Sequence, residues 1–279
     1  MWNSGMIAPA SGGDLTGGIM GRMQAEERHR EIVAIVQQRG YVSNEELART
    51  FGVTAQTVRR DLSKLGDEGE ICRHHGGASV ASSTQNIDYS ERQELSTPQK
   101  RAIAELTAQH IPNHSSLFIN IGTTTEALAR ALLGHEDLRI ITNNLNVAQI
   151  MTRNPSFTVM ITGGTVRNRD GGVVGQSACD MIGEFRVDYG IIGISGIDEH
   201  GTLLDFDYDE VRAARAIIKN SRATFLLADH TKFARHPMVR LGTLGEVTAL
   251  FTDTLPPPAL RERLAAGGVT LHVAGLPEG

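Results

Sequence analysis

The sequence predicts a two-domain α/β chain, a small N-terminal helical unit with a β wing followed by a larger parallel α/β domain. Three observations predict it. Between Ser43 and Ala78, two short amphipathic segments meet at a glycine and run on into a Gly-rich strand pair. From Pro98 onward, apolar strand-like runs alternate with helix-like periods, the pattern of a parallel sheet covered on both faces. The loops that end those runs are rich in Gly, Thr, Asn and charged residues, and such sheets bind ligands beyond the carboxyl ends of their strands. At 279 residues the chain is long enough for two domains, and 40% hydrophobic and 21% charged residues describe an ordinary globular protein.

Residues 1–21 are small and polar, without periodicity and without the charged start and apolar core of a signal peptide, so a disordered tail is expected. Met20 and Met23 stand just before the first helix and are candidate starts beside Met1. Residues 22–39 read as that helix, with Ile32, Ile35 and Val36 as its packing stripe and Gly40 as its stop. Ser43 fits an N-cap, and Glu46 three residues later completes a capping-box pattern. Leu47, Ala48 and Phe51 mark the apolar face of this second helix, and Gly52 turns the chain. Thr54 caps the third helix, in which Val58, Leu62 and Leu65 form the buried stripe. At about 3.6 residues per turn, Gln56, Arg59, Arg60 and Ser63 then lie on the solvated side. Such a face suits major-groove reading, because Gln pairs bidentately with adenine and Arg with guanine, and both hold phosphates. An Arg pair on a helix is as often a plain solvated face, so the pattern alone leaves both readings open. The net charge of −5 shows no basic balance, and residues 22–78 carry nine Lys/Arg against nine Asp/Glu. Any DNA footprint is therefore local, in Arg59, Arg60, Lys64, Arg73, His74 and His75.

Residues 79–97 are polar and read as a linker, of which 89–92 can pack on either neighbour. Strands are expected at 116–121, 138–142, 157–162, 187–194, 224–228, 247–252 and 269–273. Helices are expected at 100–110, 125–133, 145–153, 179–185 and 208–220, with a last one opening at Pro257. Cys72 and Cys179 are too few for a disulfide framework and fit a reducing cytoplasm, with Cys72 a small filler in the wing. No metal-ligand spacing and no apolar run of about 20 residues occurs, so neither metal, cofactor nor membrane span is expected.

The loops carry the candidate chemistry. Gly122, Thr123, Thr124 and Thr125 leave a strand and open a helix, where backbone N–H groups, hydroxyls and the helix dipole hold phosphates. Asn143 and Asn144 follow the next strand, and Gly163 and Gly164 the one after. Arg167, Arg169, Asp198, Asp205 and Lys232 come from later loops. Singly these are turn geometry, but four at successive strand ends point to an anionic small-molecule site.

Thr57-Val58-Arg59-Arg60-Asp61-Leu62, then Gly69, Ile71 and the run from Arg73 to Ala78, resemble the N-terminal signature of DeoR-type bacterial repressors. The GTTT, TNN, TGG, GISGID and ADHTKF segments are similar to that family's effector domain. The resemblance implies a winged helix-turn-helix domain over 22–78 and an effector domain over 98–279. The latter would be similar in fold to ribose-5-phosphate isomerases and CoA transferases. It implies a non-enzymatic, cytoplasmic homo-oligomer, dimer or tetramer, that represses glycerol catabolic genes from double-stranded operator DNA. Gln56, Thr57, Arg59 and Arg60 would face the groove, with Thr54 and Lys64 on the same helix region and Arg73 and His74 on the wing. Asp61 would be structural, since a carboxylate aimed at phosphates is repelled, and would pair with an Arg. A phosphorylated effector, glycerol 3-phosphate first, would have its phosphate on Gly122, Thr123, Thr124 and Thr125, with Gly163 and Gly164 nearby. Lys232 or one of Arg167 and Arg169 would supply charge, while Asn143, Asn144, Asp198 or Asp205 would meet the hydroxyls. Two alternatives stay open. One is a repressor that answers another sugar phosphate. The other is an isomerase-like enzyme using Asp198 or Asp205 as base and Lys232 as electrophile, for which a winged helix has no evident use. The first twenty or so residues and the tail beyond Leu264 show no such resemblance.

Overall fold

A computed structural model describes residues 25–39, 41–67, 70–74, 76–80, 86 and 89–276. The expected tail with Met20 and Met23, the stop Gly40, Gly69, His75 and most of 79–88 beyond Val80 lie outside the described residues.

Three helices, α1 (Ala25–Arg39), α2 (Asn44–Phe51) and α3 (Ala55–Asp67), build the N-terminal unit. They pack with a sheet of β1 (Tyr41–Ser43), β2 (Ile71–His74) and β3 (Gly77–Val80), ordered β1-β3-β2. Ile32, Val36, Leu47, Val58, Leu62, Leu65 and Ile71 form one buried cluster, so the stripes meet as their periods require. Ser43 Oγ accepts the N–H of Glu46 at 3.1 Å. The Glu46 carboxylate turns to Arg39 instead of back to the cap, so half of the expected box forms. Gly52 ends α2 in the left-handed region at φ 61°. Thr54 Oγ1 accepts the N–H of Thr57 at 3.1 Å and starts α3.

Strand β1 was not foreseen, because three residues of Tyr-Val-Ser carry no readable period. It pairs with β3, and a Cβ on Gly77 would stand 2.1 Å from the Val42 carbonyl oxygen, which keeps that position glycine. Asp61 is structural as expected. Arg28 donates to it at 2.7 and 3.1 Å and the His29 ring stands 2.9 Å away, so the carboxylate pins α3 to α1. Burial pushes Asp61 up, but hydrogen bonds from Arg28 and His29 outweigh it and hold the carboxyl below its ordinary range.

The second part opens with α4 (Tyr89–Glu94) and α5 (Thr97–Ala108). Helix α5 carries the helix expected at 100–110, whereas α4 falls within the expected linker 79–97, since none of 89–94 is buried and no apolar period marks it. Then come β4 (Ser116–Ile119), α6 (Thr123–Ala131), β5 (Arg139–Thr142), α7 (Leu145–Met151) and β6 (Thr158–Ile161). A hairpin of β7 (Thr165–Val166) and β8 (Val173–Val174) leads to α8 (Gln176–Gly183) and β9 (Val187–Gly193). After β10 (Gly196–Ile197) and β11 (Thr202–Asp205) follow α9 (Tyr208–Lys219), β12 (Ser221–Leu227) and β13 (Val239–Thr243). β14 (Ala249–Thr252), α10 (Pro258–Ala266) and β15 (Thr270–Val273) close the domain.

All seven expected strands join one parallel sheet, in the order β15-β14-β12-β9-β4-β5-β6. One face packs on a cluster around Phe118, Ile192, Val211 and Leu250, the other on Leu117, Ile119, Leu128 and Phe251. The chain order reverses between β4 and β9, and a crevice opens beyond the carboxyl ends at such a point. The β7–β8 hairpin and the small antiparallel sheet β10-β11-β13 stand outside the expected strands: β7, β8 and β10 are two residues long, and polar or glycine residues interrupt β11 and β13.

Replacing Asp61 by Ala removes the buried carboxylate that Arg28 and His29 hold between α1 and α3 and is expected to cost about 3 kcal/mol. The measurement is the urea midpoint of the N-terminal unit. Since the folded carboxyl is held low, its contribution is present above the unfolded carboxylate pKa and is lost as pH falls through the folded value. The variant should therefore also lose that acid sensitivity.

Candidate functional site

The outer face of α3 is polar. Gln56, Arg59, Arg60 and Lys64 are exposed while Val58 and Leu62 are buried behind them. Thr54 and Thr57 sit at the helix start with their hydroxyls 2.9 Å apart, committed to the cap. Arg73 on β2 is exposed and donates to Ser63 Oγ at 2.7 Å, so the wing strand lies against the same helix. His74 lies on β2 opposite Gly77.

At the switch point, Asn120 to Gly122 follow β4 and Gly193 to Ser195 end and follow β9. Gly122 adopts φ 151°, and no side-chain hydrogen bond caps α6. Thr123 is half-exposed and Thr124 buried. Thr125 Oγ1 donates to the carbonyls of Asn120 (2.8 Å) and Gly122 (2.7 Å), so this hydroxyl shapes the loop. Asn143 donates to the Val173 carbonyl at 3.3 Å, and Asn144 caps α7 by accepting from Asn146 and Val147. Asp205 is buried and accepts from Ser195 Oγ at 3.0 Å and from the Phe206 N–H at 2.7 Å.

Five buried oxygens mark the carboxyl end of this sheet. Among the described residues, Asn120 Oδ1, Asn143 Oδ1, Thr162 Oγ1, Asp229 Oδ2 and Thr252 Oγ1 have no hydrogen-bond partner. They end or closely follow β4, β5, β6, β12 and β14. A buried unsatisfied polar group costs about 1–3 kcal/mol, so several at one strand end favour an occupant that brings donors.

Positive charge converges on the same place. Arg92, Lys100, Lys232 and Arg235 share one electrostatic neighbourhood around Asp229 and Asp205. Burial and the charge of Lys232 lower Lys100 to about 7. Lys232 is brought down to about 8 by burial, against the pull of Asp229. Burial likewise lowers Arg235. Burial pushes Asp229 up, but Lys232, Thr231 and Lys100 outweigh it and hold the carboxyl low. Asp229 and Glu126 act on Lys100, Asp229 and Asp205 on Lys232 and Arg235, and Arg92 reaches Asp170 at 3.7 Å.

Arg167 is different. Its guanidinium meets Asp207 at 2.8 Å, Asp170 at 2.7 Å and Glu210 at 2.8 Å. Burial works against its charge, yet Glu210, Asp170 and Asp207 hold it above its ordinary value. It ties the β7–β8 hairpin to α9, and exposed Arg169 joins it on Asp207 at 2.9 Å. Gly163 and Gly164 are exposed, and a Cβ on Gly164 would stand 2.5 Å from the Val174 carbonyl oxygen, so this glycine serves the hairpin. Asp198 closes the β10–β11 turn by accepting from the N–H groups of His200 (2.9 Å) and Thr202 (2.7 Å).

Gly122, Thr123, Thr124 and Asn143 follow the carboxyl ends of β4 and β5, and Asp205 acts with Asp229 on Lys232. Sequence reasoning missed Arg92, Lys100, Asn120, Asp229 and Arg235. For Lys100 a signal existed, because Lys100, Ile103, Ala104 and Thr107 share the buried stripe of α5, and a lysine there demands an explanation.

Residues 28–84 match the DeoR-like helix-turn-helix domain, and residues 96–254 match the DeoR C terminal sensor domain. The chain belongs to the DeoR family. This DeoR-family regulator is 48% identical over 251 residues to the glycerol-3-phosphate regulon repressor of Escherichia coli (strain K12), covering 90% of the chain and 100% of that protein. It is 51% identical over 234 residues to the protein of the same name in Haemophilus influenzae, covering 84% of the chain and 91% of the relative. In fold it is similar to ribose 5 phosphate isomerase A from Neisseria gonorrhoeae, with a TM-score of 0.37 and 14% identity over 51% of this chain and 54% of that one. It is a transcriptional repressor of DeoR type, with a helix-turn-helix unit for DNA and a sensor domain for an effector.

An anion entering the crevice raises both lysines, so its binding takes up protons. Affinity for a phosphate dianion should then fall about tenfold between about pH 7 and about pH 9. Calorimetry in buffers of different ionisation enthalpy reads the proton uptake directly. A flat profile with no uptake would place the anion elsewhere.

Proposed function

We propose that this repressor controls glycerol catabolic genes and is released from its operator by glycerol 3-phosphate held in the crevice. One observation carries the reading. Lys100, Lys232 and Arg235, each lowered by burial, are grouped with Asp229, whose Oδ2 is one of several buried oxygens without a hydrogen-bond partner at the carboxyl end of one sheet. A small polyol phosphate complements both, since its phosphate brings negative charge and its hydroxyls bring donors. The phosphate sits on Gly122, Thr123, Thr124 and the start of α6, with Lys232, Lys100, Arg92 and Arg235 supplying charge. Asn120, Asn143 and Asp229 receive the hydroxyls. Arg167 serves as the frame that holds the hairpin in place. The names of the relatives from Escherichia coli and Haemophilus influenzae support this choice of ligand.

On the DNA side, Gln56, Arg59 and Arg60 read base edges, and Lys64, Arg73 and His74 hold the backbone. Paired copies occupy paired half-sites, since one recognition helix spans only one of them. Release requires that glycerol 3-phosphate bind the DNA-incompetent state more tightly than the competent one.

The test is a labelled fragment from upstream of the glycerol catabolic genes, titrated with glycerol 3-phosphate at fixed salt. Release by glycerol 3-phosphate, with glycerol and inorganic phosphate inert, is the expected result. Release only by a different sugar phosphate would discard the ligand and keep the repressor. Arg60→Ala is expected to weaken operator binding by about 1–3 kcal/mol per half-site. Lys232→Met should leave operator binding intact and blunt release.

A further inference from the structure

Helix α4 is the first described helix after the wing strand β3, and it is held to the sensor domain without a core. None of Tyr89–Glu94 is buried, so the apolar term that ordinarily docks a short helix is small. Its anchors are polar. The Tyr89 hydroxyl lies 2.9 and 2.8 Å from the two oxygens of Glu126. Asn146 Nδ2 donates to Tyr89 Oη at 2.8 Å and to Glu126 Oε1 at 3.1 Å, and Gln93 donates to Tyr89 Oη at 2.7 Å. Arg92 approaches Asp170 at 3.7 Å. The Lys100 ammonium closes the far end by donating to the carbonyls of Arg92 and Leu95.

Glu126, Asn146 and Asp170 all stand next to loops at the carboxyl end of the sheet. Glu126 lies in the first turn of α6, directly after the Gly122–Thr124 loop. Asn146 lies in the first turn of α7, directly after Asn143 and Asn144. Asn144 Nδ2 also reaches Glu126 Oε1 at 3.2 Å, so the two helix starts are tied together beneath Tyr89. Asp170 stands in the hairpin that Arg167 fixes to α9, and Asn146 donates to its carbonyl at 3.1 Å. Arg92 and Lys100 are themselves two of the four crevice cations, and the buried Nε of Arg92 has no hydrogen-bond partner among the described residues. A ligand in the crevice therefore touches the ground on which α4 stands and competes for its charges, while the opposite end of α4 leads back to the wing.

We infer that α4 is the relay between the two domains, with Tyr89, Glu126 and Asn146 as its positioning residues. Occupation of the crevice draws Arg92 from Asp170 and shifts the starts of α6 and α7. The Tyr89–Glu126–Asn146 junction then resets, and α4 moves with it. The inference rests on the effector reading proposed above. A helix held by a few hydrogen bonds, with no buried side chain, belongs to the locally least stable parts of a fold, where switching elements are found. Allosteric couplings of about 5- to 150-fold are of the size such a junction can transmit.

The experiment measures coupling separately from either affinity, using the full chain. Operator affinity is read with and without saturating glycerol 3-phosphate, and glycerol 3-phosphate affinity with and without operator. Tyr89→Phe deletes one hydroxyl and keeps the ring. It is expected to leave operator affinity without effector, and effector affinity without DNA, within about twofold of the parent. The factor by which each ligand weakens the other should collapse toward one, equally in both directions, as linkage demands. Glu126→Gln keeps an acceptor for Tyr89 and should retain part of the coupling. Hydrogen exchange across residues 89–95 should quicken when glycerol 3-phosphate binds the parent, and should already be fast in Tyr89→Phe. Coupling retained at full strength in both variants overturns the relay and leaves the effector reading standing. A parent chain that ignores glycerol 3-phosphate altogether overturns the effector reading and the relay with it. A large loss of effector affinity in Tyr89→Phe would make Tyr89 a ligand contact and likewise overturn its role as relay.

Discussion

Burying like charges together is costly, and the sensor domain is arranged around that cost. Arg92, Lys100, Lys232 and Arg235 share a space in which Asp229 and Asp205 supply the opposing charge. Lys100 is only 4% exposed, and its ammonium is held by two backbone carbonyls and no carboxylate. Water cannot solvate these groups well, and each raises the cost of charging the next. An anion bound beside them would offset that cost. The parallel sheet makes the arrangement possible, because its carboxyl ends gather loops from elements distant in sequence at one switch point.

Buried charge of the opposite character appears twice in the same chain. The Arg28–Asp61 pair between α1 and α3 and the cluster of Arg167 with Asp170, Asp207 and Glu210 are both closed. In each the guanidinium is held above its ordinary value by carboxylates that use its planar fork. Lys100 and Lys232 move the other way. A sequence shows Arg167 and Lys232 alike, as a basic residue in a polar loop, yet three carboxylates raise the first and burial lowers the second.

What could be read from the sequence followed burial. Seven strands were legible because a two-faced parallel sheet writes continuous apolar runs, such as Ala249–Thr252, buried at every position. The winged unit was legible because the Val58, Leu62 and Leu65 stripe fixes the opposite face of α3. Elements held by polar contacts were not. Helix α4 buries none of its residues, β10 is two residues long, and polar or glycine residues interrupt β11 and β13. The site divides in the same way. Gly122, Thr123 and Asn143 stand directly after strands and could be placed by counting, whereas Arg92 and Arg235 reach the crevice only through tertiary structure. Thr125 shows the limit from the other side. Its hydroxyl was assigned to a phosphate from loop composition, and the fold commits it to the Asn120 and Gly122 carbonyls.

The two ends of the molecule use charge in opposite ways, and the difference suits their tasks. Arg59, Arg60 and Lys64 are exposed and screened by salt, as a surface must be that meets a polyanion rapidly and lets it go. The crevice cations are desolvated and screened much less, so a single small anion gains enough from them to bias a whole domain. A signal passing between two such sites cannot travel as a field through solvent, since a Debye length of about 8 Å would extinguish it. It must travel through groups in contact. The polar junction of Tyr89, Glu126 and Asn146, which joins the starts of α6 and α7 to the helix leading back toward the wing, supplies such a contact path.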